Sequence, residues 1–142
     1  MDIVSLDGTS RLSIDKIEDV AVEGQEPTAQ FTMLVKSEDF EGKLKSAWID
    51  KEFLEAFVKE AESLVQSRGF KAKLSPHFSQ FSIGFEKSDN RGHLICSSNF
   101  HKKQGGSSIT VNFETDVTYL EQLRVYFQKV VNQLISPCDY LG

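Results

Sequence analysis

The apolar residues of this chain change their period three times, and that change limits the fold more than any other feature of the sequence. From Asp50 onward, Phe53, Leu54, Phe57, Ala61, Leu64 and Val65 recur at the spacing of one helical stripe, while Lys51, Glu55, Lys59, Glu60 and Glu62 fall largely off it. Asp50 is a suitable N-cap, and Arg68 followed by Gly69 predicts the stop. A second helix opens at Asp116 or Thr118, gathers Leu120, Leu123, Phe127, Val130, Val131 and Leu134 on one face, and ends before Pro137.

Between the two helices the period falls to two. Ala72 and Leu74, then Phe81, Ile83 and Phe85, then Leu94, Cys96 and Phe100, then Ile109, Val111 and Phe113 alternate with polar residues, which predicts four antiparallel strands. Turn chemistry at 75–77, 88–92 and 102–106 fits the connections. Ahead of the first helix, Ile3 to Leu6, Leu12 to Ile17, Phe31 to Val35 and Phe40 to Trp48 read as further strands, the first pair turning at Asp7-Gly8, with a polar loop at 22–27. The expected fold class is therefore α+β: an antiparallel β-sheet of about six to eight strands with two α-helices packed on one face, in the order β-strands, α, four β-strands, α. Neither a repeat nor a Pro/Gly-rich linker interrupts the pattern, so residues 1–142 read as a single domain. Eleven Phe against one Trp and three Tyr supply core area without polar atoms to satisfy.

Composition narrows the setting. The N-terminus has no basic region followed by an apolar one, and no stretch approaches the ~20 apolar residues of a membrane span. Cys96 sits in a strand pattern and Cys138 follows Pro137, so a disulfide framework is not expected and a cytoplasmic setting is. The net charge of −5 is uneven: residues 1–66 carry 15 acidic and 7 basic side chains (−8), and residues 67–142 carry 6 and 9 (+3). An acidic half argues against nucleic acid as a direct ligand and favours either a solubilising surface or encounter with a basic protein.

Catalytic classes fail on spacing. There is no GxGxxG opening a helix and no GxxxxGK[ST] loop, so no nucleotide cofactor is expected. His93 and Cys96, with His77 and His101 at a distance, are the nearest approach to a metal set. Positions 93 and 96 of one strand point to opposite faces, so no metal is expected. Neither Cys96 nor Cys138 lies where a thiolate is favoured, and no Ser stands in a GxSxG elbow or an SxxK helix. The chain reads as a non-enzyme without cofactors. Glu38, Asp39 and Glu41 form a candidate acidic patch for a basic partner. Trp48, just before the helix, reads as a core staple against its first turn.

AlaTrpIleAsp (47–50), LysAlaLysLeuSer (71–75), PheSerIleGlyPhe (81–85), ArgGlyHisLeu (91–94) and ValAsnPheGluThrAspValThrTyrLeu (111–120) together resemble the WapI-type immunity proteins of bacterial polymorphic toxin systems, over about residues 28–135. Phe113, Asp116, Thr118, Tyr119 and Leu120 carry the last element, and Val117 stands where that group has a polar residue. The resemblance implies a protein that binds and neutralises a cognate toxin. Alternatives are a structural or regulatory homo-oligomeric subunit pairing exposed strand edges, and a small-molecule or hydrolase site built from His77, His93 and a neighbouring acid.

Overall fold

The computed structural model describes residues 1–20, 24–76, 81–101 and 108–134. The elements run β1 (Asp2–Val4), β2 (Arg11–Val20), β3 (Thr28–Lys36), β4 (Glu41–Asp50), α1 (Lys51–Val65), β5 (Lys71–Leu74), β6 (Phe81–Lys87), β7 (His93–His101), β8 (Ser108–Asp116) and α2 (Val117–Gln133). The α+β class and the order expected from periodicity hold. The strands, however, form two antiparallel sheets, β1-β2-β3-β4 and β5-β6-β7-β8, rather than one sheet. The reason is α1, which leaves β4 at Asp50 and returns the chain to the far edge of a second layer instead of to a neighbouring strand. The sheets touch at a seam, where Ser5 bridges Thr115, the Leu6 amide donates to the Glu114 carbonyl at 2.8 Å and Thr115 Oγ1 donates to the Val4 carbonyl at 2.7 Å.

A line of aromatic rings ties the layers together. Phe85 of β6 meets Phe57 of α1 at 6.2 Å, Phe57 meets Phe127 of α2 at 5.6 Å, and Phe127 meets Phe31 of β3 at 5.6 Å, the last two edge to face. Such pairs add roughly 0.5–1.5 kcal/mol each beyond the area they bury. By its stripe α1 therefore packs against the β5–β8 sheet and α2 against the β1–β4 sheet, and the two helices pack on each other. Val58 joins the α1 stripe, while Phe53 and Val65 are only half-buried.

Helix ends show where local chemistry departs from expectation. Asp116 caps α2, its carboxylate accepting from the Thr118 amide at 2.9 Å, and this hydrogen bond holds the carboxyl below the usual range. Asp50 stands at the N-cap of α1, but its carboxylate is engaged by the Thr28 hydroxyl at 2.8 Å and caps no amide. At the other end α1 stops at Gln66, not at Arg68-Gly69. Ser67 takes the left-handed conformation (φ 60°), with its amide donating to the Leu64 carbonyl and the Arg68 amide to the Ser63 carbonyl.

The β1–β2 turn does form at Asp7-Gly8. Gly8 takes φ 76°, and Asp7 accepts from the Ser5 hydroxyl and from the Thr9 amide and hydroxyl, which hold its carboxyl down to about 2. No helix among the described residues is long and apolar enough to cross a membrane.

Candidate functional site

The site begins with an irregularity in an edge strand. β4 is the outer strand of its sheet, and its pairing with β3 jumps from Met33–Leu44 to Phe31–Ala47, so Lys45 and Ser46 together stand opposite Thr32. Side chains secure the bulge: Thr32 Oγ1 donates to the Lys45 carbonyl at 3.2 Å, and Gln30 Nε2 donates to Ser46 Oγ. The extra residue resets the alternation. Before the bulge Gly42 and Leu44 face inward; after it Ala47 and Ile49 do, and both are buried.

Trp48 consequently points outward, 45% exposed, opposite Gln30. The expectation that it staples the core is corrected, because a period of two carried through the strand does not count the inserted residue.

Beside β4 runs an open groove of about 650 Å³. One wall is Glu41 to Ser46; the other is Phe100, His101, Ser108 and Ile109, where β7 ends and β8 begins. Gly42 permits the close approach, since a Cβ there would stand 2.7 Å from Ile109 Cγ2 and 3.4 Å from Phe100 Cδ2. Leu44, Phe100 and Ile109 give the groove an apolar floor, while Lys43 and Lys45 stand exposed above it. Lys16, Lys36 and Lys51 are each paired with a carboxylate. Lys43 and Lys45 have no ion pair among the described residues, which leaves two uncompensated cations on one strand.

A second groove of similar volume lies between α1 and α2, but its charges alternate in sign and Lys51 is paired with Glu55 at 3.9 Å.

The residues singled out from sequence do not converge. Glu38 and Asp39 are exposed in the β3–β4 hairpin and Glu41 opens β4, its carboxylate 3.9 Å from Lys36 Nζ; of the three only Glu41 lines the groove. His93, at the start of β7, bonds Asp89 at 2.8 Å and thereby closes the β6–β7 hairpin, whereas His101 ends the same strand beside Asn99.

Cys96 faces the core, away from His93, and burial pushes its thiol up to about 12, far from a nucleophile's range. His77 and Cys138 lie outside the described residues. Among the described residues no three His, Cys, Asp or Glu side chains gather as a metal set. Sequence reasoning passed over Lys43, Lys45 and Ser108, and weighed His101 only as a distant member of a metal set. The available signal was the Lys-Leu-Lys step at 43–45, two cations at strand spacing a few residues before an isolated Trp.

No family model matches the chain, and no curated protein matches it. Among solved structures, WHY1 from Arabidopsis thaliana matches over 95% of this chain and 90% of its own, with a TM-score of 0.51 and 10% identity. WHY3 from the same plant matches over 99% and 92%, with a TM-score of 0.50 and 13% identity. At that identity the likeness is one of fold, and it extends over nearly the whole chain.

Two expectations are corrected. Toxin neutralisation is set aside: the solved structures that share this architecture are those of WHY1 and WHY3. Asp116 and Leu120, which carried the motif resemblance, serve here as a helix cap and a core residue. The expected partners, a basic toxin domain and no nucleic acid directly, change with it. That exclusion rested on charge summed along the sequence. Folding brings Lys43 and Lys45 of the acidic half beside His101 of the basic half, on one groove.

Proposed function

We propose that the chain binds single-stranded nucleic acid along β4, by association and without turnover. The observation that carries this reading is the pair of lysines, Lys43 and Lys45, with no ion pair among the described residues, above an apolar floor made by Leu44, Phe100 and Ile109. Phosphates need cations that are not already neutralised, and unstacked bases need apolar or aromatic surface, which only a single strand can use. Trp48, two residues beyond the groove and 45% exposed on the same strand, offers a ring to a following base. Ser108 and His101 add polar atoms without a pattern suited to reading one base, so the reading is sequence-tolerant.

Fluorescence anisotropy with labelled oligothymidylate tests this. Two phosphate contacts predict a shallow salt dependence, with a log–log slope near −1.4 at ~0.7 per phosphate. Lys43→Gln with Lys45→Gln should weaken binding at low salt and flatten that slope. Trp48→Ala should cost roughly 1–3 kcal/mol, the range of a base stacked on an aromatic ring. An oligonucleotide that does not bind, or binds the double lysine variant as well as the parent, rejects the reading.

A further inference from the structure

We propose that β4 also fixes where a bound strand ends, through the order of charges along it; this rests on the nucleic-acid reading of the same groove. Taken from the hairpin, the strand presents Glu38 and Asp39 in the loop, Glu41 at the mouth of the groove, then Lys43, Lys45 and finally Trp48. Glu41 and Lys43 share the outer face, opposite Lys36 and Leu34, and stand roughly 6–7 Å apart along the strand. Lys36 compensates Glu41 in part at 3.9 Å, whereas Glu38 and Asp39 are exposed and have no ion pair among the described residues.

A phosphate held at Lys43 therefore has unlike neighbours on its two sides. Toward Trp48 the next nucleotide finds a second cation and a ring. Toward the hairpin it finds three carboxylates, whose repulsion outweighs what Lys36 returns. The bound segment is confined to the stretch from Lys43 to Trp48, roughly 16 Å of strand, and a longer nucleic acid leaves the surface at Glu41.

The test is a length series of oligothymidylates titrated by anisotropy against the full chain and against Glu38→Gln, Asp39→Asn, Glu41→Gln combined. The parent's affinity should stop rising once the oligomer spans the lysines and Trp48. The triple variant's affinity should go on rising, by roughly threefold or more for the longer oligomers, and its salt slope should steepen by ~0.7 for each added phosphate. Glu52→Gln, Glu60→Gln and Glu62→Gln combined remove as many charges from α1 and should leave the length at the plateau unchanged. A triple variant that binds with the parent's plateau, or an α1 control that moves it equally, overturns the boundary while the groove reading stands. Failure of every chain to bind overturns both.

Discussion

Ser67 pays for the way α1 ends. It holds φ 60° at the position where helices most often place glycine, and a side chain in that conformation costs about 1–2 kcal/mol. Ser67→Gly should therefore raise stability by roughly 0.5–1 kcal/mol after the added backbone entropy of glycine in the unfolded chain is counted. An unchanged or lower urea midpoint would show that the Ser67 conformation is not strained. The glycine two residues on, which the sequence offers as the stop, lies past the motif. The turn was closed by backbone bonds to Ser63 and Leu64, whose geometry no residue type announces. Ser98 shows the same limit from inside. It is fully buried on the core face of β7, its hydroxyl finds no hydrogen-bond partner among the described residues, and its neighbour on that face is the thiol of Cys96.

At the level of elements, both helices were readable because a stripe at helical spacing has few other uses, and all six predicted apolar residues of α2 are buried. What alternation could not show was the extra residue in a strand. Near Ile17 the β2–β3 pairing also slips, freeing the Lys16 amide to donate to the Tyr126 hydroxyl at 2.8 Å; near Lys45 the slip turns Trp48 outward. Such shifts depend on partners across the sheet, which the linear pattern does not contain.

The α2 cap gives a pH test. Because the folded carboxyl of Asp116 is held below its ordinary value, its contribution is fully present above the unfolded pKa of ~3.9 and is lost as pH falls from there through the depressed folded value. Asp116→Ala should cost about 1 kcal/mol at neutral pH, while Asp116→Asn keeps the cap and loses this part of the acid dependence. Thermal unfolding of the three proteins between mildly acidic and strongly acidic buffers checks both; equal acid sensitivity in all three would remove Asp116 from the account.

For the whole molecule, the two sheets lie close together beside the candidate groove because position 42 has no side chain. Gly42→Ala places a carbon 2.7 Å from Ile109 Cγ2 and should destabilise by about 1–3 kcal/mol. Ile109→Ala removes that atom, so the second substitution should cost measurably less in its presence; purely additive urea midpoints would mean the layers adjust elsewhere. The groove itself was invisible in the sequence for the same reason that the charge sum misled. Its walls come from β4, β7 and β8, and their meeting depends on how two sheets are stacked.

The seam between Val4 and Thr115 closes a separation of 111 residues. Each doubling of such a loop adds only ~0.6 kcal/mol of closure entropy, so the contact is affordable once made, but it comes late. During synthesis β1 leaves the ribosome long before Thr115 exists, and it must stay unclaimed by other strand edges until that partner has been made. A prematurely released chain that stops short of Thr115 would carry that unclaimed edge into the cell, where it offers a template for misassembly with its own kind.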